Sequence, residues 1–143
     1  MGKTIEQIKA EELMIGAWVY NTHNRQPEQV CEIRERMVML DYNDLYDYDE
    51  IEPIPLNDEI LQKNGFRRVG ERWGCGDELN SYYFGNGQDI DIHLPTNSDK
   101  YMLVIRDHVS PDPDYQLILR LKYVHKLQHA LKEYKYEKIT IKL

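Results

Sequence analysis

I-E-P-I-P-L-N-D-E-I-L-Q-K-N-G-F, residues 51–66, carries the clearest stop and start signals in the chain, and its reading divides the fold. Pro53 and Pro55 fix their own φ and push the residues before them into extended geometry, so residues 51–56 leave a strand rather than continue a helix. A helix starts after them. Asn57 offers a side-chain oxygen to a first-turn N–H, while Asp58 and Glu59 place negative charge at the positive end of the helix dipole. Ile60 and Leu61 give it a small apolar face, and it ends at Asn64-Gly65, with Gly65 left-handed and Phe66 folding back as the hydrophobic contact.

Upstream of this hinge the chain reads as β-rich. Residues 1–12 are polar with Ile5 and Ile8 at helical spacing, consistent with a short helical turn or an ordered arm. L-M-I-G-A-W-V-Y (13–20) reads as a buried strand, followed by the turn formers N-T-H-N-R-Q-P. Further strands are expected at 29–34, 37–41 and 48–54, with Glu35-Arg36 as a tight turn. Short antiparallel strands in succession with no helix between them suggest a small curled sheet or SH3-like barrel.

Downstream, residues 66–73, 81–84, 88–94 and 101–107 read as a meander joined by turns at G-C-G-D, G-N-G and P-T-N-S-D. G-Q-D-I-D-I-H-L alternates polar and apolar residues, which implies one buried and one wet sheet face. The prolines of H-V-S-P-D-P-D break the chain into a surface loop. From Asp114 to about Tyr134, Leu117, Leu121, Val124, Leu127 and Leu131 recur at three- and four-residue steps, the mark of the main amphipathic helix. The alternating tail E-K-I-T-I-K-L predicts a last strand holding Ile139, Ile141 and Leu143, whose edge would permit strand-to-strand homodimerisation.

The chain has 143 residues and a net charge of −7, enough length for one domain or two very small ones. That charge argues against wholesale binding to a phosphate backbone and favours basic partners. Eleven tyrosines against two phenylalanines suit half-buried strands, where the ring packs and the hydroxyl finds a partner. No apolar run approaches the roughly 20 residues that span a bilayer, and M-G-K-T-I-E-Q-I-K lacks a signal-peptide core, so a cytoplasmic protein is expected. Cys31 and Cys75, without a CxxC, read as reduced structural thiols.

Candidate chemistry is sparse. His125 and His129, four apart on one helix face, have the spacing for one metal ion, with His93 or His108 as a third ligand. Position 126 is Lys rather than the Glu of a zincin motif, and nearby Lys122 and Lys132 oppose metal capture. The acidic, tyrosine-rich D-Y-N-D-L-Y-D-Y-D-E-I-E (41–52) has the first and last positions of a calcium loop, but Leu45 stands where an oxygen ligand belongs and Tyr46 where the turn needs Gly. Its carboxylates, Asp44, Asp47 and Asp49 foremost, would present an array to a basic partner or mimic a nucleic acid. In F-R-R-V-G-E-R-W, Arg67, Arg68 and Arg72 with Trp73 have the make-up of a nucleic-acid contact, though alternation makes the arginines a wet strand face. No nucleophile elbow and no Cys–His pairing is evident, and no cofactor is implied.

I-x-P-I-P-L-x-x-E-I-L-x-K-N-G-F at 51–66, K-Y-V-H-K-L-Q-H-A-L at 122–131 and the I-G-x-W-V opening at 15–19 together resemble a family of uncharacterised proteins from gut Bacteroidetes and their phages or integrated elements. The resemblance spans most of the chain. It implies a small soluble protein in a mobile-element setting, with no established activity and no site residue to carry over. The acidic segment and H-V-S-P-D-P-D lie outside the pattern.

The expectation is an α+β protein. A small antiparallel SH3-like barrel or sheet occupies 1–56, and an antiparallel meander packed by a long C-terminal helix occupies 57–143, as two parts or one compact domain. The absence of paired catalytic groups points to a non-enzymatic binding or accessory protein acting on a macromolecule, a protein sooner than a nucleic acid, and not on a membrane. Asp44, Asp47, Asp49, Arg67, Arg68 and Trp73 are its candidate contacts. The alternatives are a metal-dependent hydrolase built on His125 and His129 and an acidic nucleic-acid mimic.

Overall fold

The computed structural model describes residues 7–41, 44–72, 78–84, 90–95, 98–106, 116–134 and 139–143. It is α+β, with two antiparallel five-stranded sheets and one main helix near the C-terminus. The chain forms two compact units, one made of Met1–Pro55 with Tyr123–Ile141, the other of Leu56–Lys122 with Lys142–Leu143.

In the first unit a 3₁₀ turn, Ala10–Glu12, precedes β1 (Trp18–Asn21), β2 (Gln26–Ile33), β3 (Met37–Leu40), β4 (Leu45–Asp47), a second 3₁₀ turn (Tyr48–Glu50) and β5 (Ile51–Glu52). The sheet order is β4-β3-β2-β1-β5. The expected barrel does not close, because β4 and β5 remain the two edges of an open sheet. β2 carries a register shift between Val30 and Glu32, a bulge that bends the strand and leaves Cys31 exposed with a free thiol. Val19, Val30, Val38 and Leu40 point inward at alternate positions and pack with Ile8, Leu13, Ala17, Tyr46 and Ile51. The strand expected at 13–20 begins only at Trp18, since Gly16 has φ +90° and turns the chain there. Within the strand expected at 48–54, a capping box on Asp47 and Glu50 diverts residues 48–50 into the 3₁₀ turn.

The second unit begins with α1 (Asp58–Lys63), then β6 (Phe66–Arg72), β7 (Glu78–Phe84), β8 (Ile90–Pro95), β9 (Tyr101–Arg106) and β10 (Gln116–Leu121), in the meander order β10-β9-β8-β7-β6. α1 forms as its sequence dictates. Asn57 Oδ1 accepts from Ile60 N at 2.8 Å, Gly65 takes φ +88°, and Phe66 is fully buried. Phe66 packs against its cross-strand partner Phe84 with ring centroids 5.3 Å apart.

The main helix, α2, runs only Val124–Glu133. Leu117 and Leu121, which extend its period upstream, belong instead to β10, whose six residues all pair with β9 from Gln116↔Arg106 to Leu121↔Tyr101. Q-L-I-L-R-L satisfies both periods, and the ladder decides between them. α2 also packs elsewhere than expected. It belongs to the first unit, where it lies against β1 and the first 3₁₀ turn, burying Val124, His125, Leu127, Gln128, Ala130 and Leu131. Gln128 fixes this docking, since its Oε1 accepts from Trp18 N at 2.8 Å and its Nε2 donates to Gly16 O at 3.0 Å.

Residues 139–143 form no strand. Ile141 O accepts from Trp18 Nε1 at 2.9 Å, and Lys142 bonds to the Asn64 side chain, so side chains take the backbone groups that a ladder would have used. Among the described residues no helix is long and apolar enough to cross a membrane.

Candidate functional site

The turn between β1 and β2 is built by its asparagines. Asn21 Oδ1 accepts from His23 N at 2.9 Å and from Asn24 N at 3.3 Å, an Asx turn that reverses the chain, and Arg25 completes it at φ 56°. The reversal lays Asn24 over the start of β2, where Glu28 pairs with Val19 and is 1% exposed. Glu28 Oε2 accepts from Asn21 Nδ2 at 2.6 Å and from Asn24 Nδ2 at 3.1 Å. Asn24 Nδ2 also reaches the Tyr46 hydroxyl at 3.3 Å, and the exposed His23 ring lies 6.2 Å from that of Tyr46. Glu28 Oε1 is buried and receives no hydrogen bond. No cation of the described residues pairs with this carboxylate, and an uncompensated buried acceptor costs on the order of 1–3 kcal/mol, more when charged.

Tyr46 ties the acidic segment to this cluster. Asp44 and Asp47 stand on either side of Tyr46, and with Asp49 all three are exposed. Asp47, Asp49 and Glu50 bring ligand atoms within 4.8 Å of one another, the only such acidic or His/Cys set among the described residues. Their closeness is a product of capping: Asp47 accepts from the 3₁₀ backbone while Glu50 Oε1 accepts from Asp47 N at 3.1 Å.

The basic candidates belong to the second unit. Arg67 and Arg68 are both exposed, on opposite faces of β6, and Arg68 reaches Asn80 Oδ1 at 3.0 Å and Asp58 Oδ1 at 3.6 Å. Trp73, His108 and Cys75 lie outside the described residues. Asp44, Asp47 and Asp49 thus sit in one unit and Arg67 and Arg68 in the other.

His125 is 1% exposed and stacked on Tyr123, with its Nε2 3.2 Å from Glu12 Oε2. His129 Nδ1 is 3.3 Å from the Glu12 carbonyl, and Lys126 Nζ is 3.6 Å from Glu12 Oε1. Burial holds the His125 pKa below its ordinary value, against the pull of Glu12. The two histidines dock the first 3₁₀ turn onto α2, and His93, the other expected ligand, lies in the second unit.

Sequence reasoning missed a Ser–His–Asp grouping on β7 and β8. Ser81 Oγ is 2.8 Å from His93 Nδ1, and His93 Nε2 is 3.7 Å from Asp91 Oδ2. The signal was D-I-D-I-H, which puts Asp91 and His93 on one face, but Ser81 joins them only through the register Ser81↔His93. These groups occupy the face expected to be wet, and all three are buried. Ser81 has no exposed surface, so its hydroxyl is withheld from any substrate.

No protein-family model, curated protein or solved structure matches this chain.

Proposed function

We propose that the chain is a non-enzymatic protein-binding module of the cytoplasm whose first unit recognises a basic segment of a partner protein. The observation that carries this reading is Glu28, a buried carboxylate whose Oε1 faces no donor, beneath a turn that hydrogen-bonds to Tyr46 of the acidic segment. An approaching Lys or Arg would gain from that carboxylate in a site where little water competes. A net charge of −7 disfavours phosphate-bearing partners. Five short strands with a 3₁₀ turn before the last support an SH3-like character for this unit, an argument from fold alone. The resemblance at 15–19, 51–66 and 122–131 supports a setting in phages or mobile elements.

The test compares binding of a fluorescent lysine decapeptide by the native chain, Glu28→Gln, and the triple variant Asp44→Lys/Asp47→Lys/Asp49→Lys. Glu28→Gln keeps the shape and every exposed charge, so a tenfold loss of affinity in a variant of native circular dichroism supports the reading. Equal binding by all three proteins sinks it. Capture from a host lysate with the native and triple-variant chains then identifies the partner, and a captured nucleic-acid-binding protein released by DNA would mark mimicry instead.

A further inference from the structure

A second site lies in the first unit, away from the β1–β2 turn. Met14, Ile15, Leu131, Ile139 and Ile141 wall a groove of about 270 Å³. Ile15 is 58% exposed, unusual for a large aliphatic residue and placed there by the turn at Gly16.

Three side-chain amide groups of this groove are already committed. Gln128 spends its carbonyl on Trp18 N and its amide on Gly16 O, and Gln29 Nε2 donates to the same Gly16 O at 3.1 Å. With those groups spent and five large apolar side chains in the wall, a polar body would gain few hydrogen bonds for those it gives up in water, and the groove favours an apolar one. The rim is different. Lys132 is exposed, is the sole charged residue of the lining, and makes no ion pair among the described residues. Thr140 also lines the groove and carries a hydroxyl. In a protein of net charge −7, a lining that carries no carboxylate among the described residues complements an anion.

One ammonium balances one charge, which favours a carboxylate over a phosphate. The volume falls just below the roughly 300 Å³ at which drug-sized ligands begin, so a single short chain fits and an extended peptide does not. We propose that this groove binds a medium-chain alkyl carboxylate, its chain among Met14, Ile15, Leu131, Ile139 and Ile141 and its head at Lys132 and Thr140.

Carbon-13 labelling of the methionine methyl groups provides a local readout, because Met14 lines the groove while Met37, Met39 and Met102 do not. Titration with octanoate should shift the Met14 signal saturably, that signal being identified by its loss in Met14→Leu. Octylamine and butyrate should bind at least tenfold more weakly, and Lys132→Glu, an exposed substitution, should weaken octanoate at least tenfold with an unchanged spectrum elsewhere. Absence of a saturable Met14 shift, a response confined to other methionines, equal binding of octylamine, or unaltered affinity in Lys132→Glu would each overturn the proposal.

Discussion

Asn64 and Lys142, 78 positions apart, are joined as two strand residues would be: Asn64 Nδ2 donates to Lys142 O at 2.7 Å, and Lys142 N donates to Asn64 Oδ1 at 2.6 Å. The same amide group donates to Ile60 O at 2.7 Å, closing the last turn of α1. One side chain thus ends a helix and holds the C-terminus of the chain.

Replacing it removes both roles together. Asn64→Ala is expected to cost about 1–2 kcal/mol, two or three net hydrogen bonds partly replaced by water. Urea unfolding of this variant beside a chain ending at Ile141 checks the assignment. The truncation should account for part of the loss, and the double variant should fall short of the sum.

Gly65 is required by conformation and by space. At φ +88° an L-residue is strained, and a Cβ there would stand 3.1 Å from Phe84 Cε2. Gly65→Ala should therefore destabilise by about 1–3 kcal/mol. The expected structural sign is a displaced Phe84 ring, visible as altered aromatic shifts on the Phe66–Phe84 pair.

The Tyr82 hydroxyl donates to Asp58 Oδ1 at 2.7 Å at the start of α1. This bond is the chief reason that the Asp58 carboxyl titrates below its ordinary value, with Gln62 and Arg68 assisting, while burial and Asp58 push the Tyr82 hydroxyl upward. In Tyr82→Phe the Asp58 pKa should rise toward the usual carboxylate range, read by a carbon-13 carboxyl titration. An unmoved Asp58 would show that Arg68 or the helix N-terminus sets its value. Because the folded pKa is the lower one, the native contribution is present above the unfolded Asp value and fades as pH falls through the folded one.

His125 predicts a second acid sensitivity. Its Nε2 faces Glu12, Lys126 and His129 stand beside it, Tyr123 stacks on its ring, and its buried Nδ1 has no partner. Protonation would bury an unmatched N–H, and burial accordingly depresses the folded pKa. Folding stability should hold above the unfolded value of about 6.5 and decline as pH drops through the lower folded value. His125→Leu, lacking the proton site, should show a flatter profile from pH 7 to 5 in chemical denaturation. Parallel profiles would assign the acid sensitivity to other groups.

The hinge helix was legible because every signal for it is local: the cap at Asn57, the left-handed Gly65 and the folded-back Phe66 need no distant partner. The boundary between β10 and α2 was not, since Leu117 and Leu121 fit a helix period and a strand period alike until the ladder with β9 removes the helix. The tail alternates like a strand, yet Trp18 and Asn64 occupy its carbonyls and amides. Glu28 illustrates the limit at the site. In Q-P-E-Q-V-C-E-I it reads as one more surface carboxylate, and its burial depends on Asn21, Asn24 and Tyr46, three residues from other segments.

Pro55 and Tyr123 are bridge partners, with Val124 N donating to Ile54 O at 2.8 Å and Leu56 N to Lys122 O at 2.9 Å. The chain therefore departs from the first unit and comes back to it at paired positions, which in an antiparallel pair are about 5 Å apart. Residues 56–122 are in that sense a cassette with adjoining ends. A linker of about two residues from 55 to 123 would span the cut, so the meander can be exchanged, lost or acquired by two splices without any strand of the first sheet changing its neighbour.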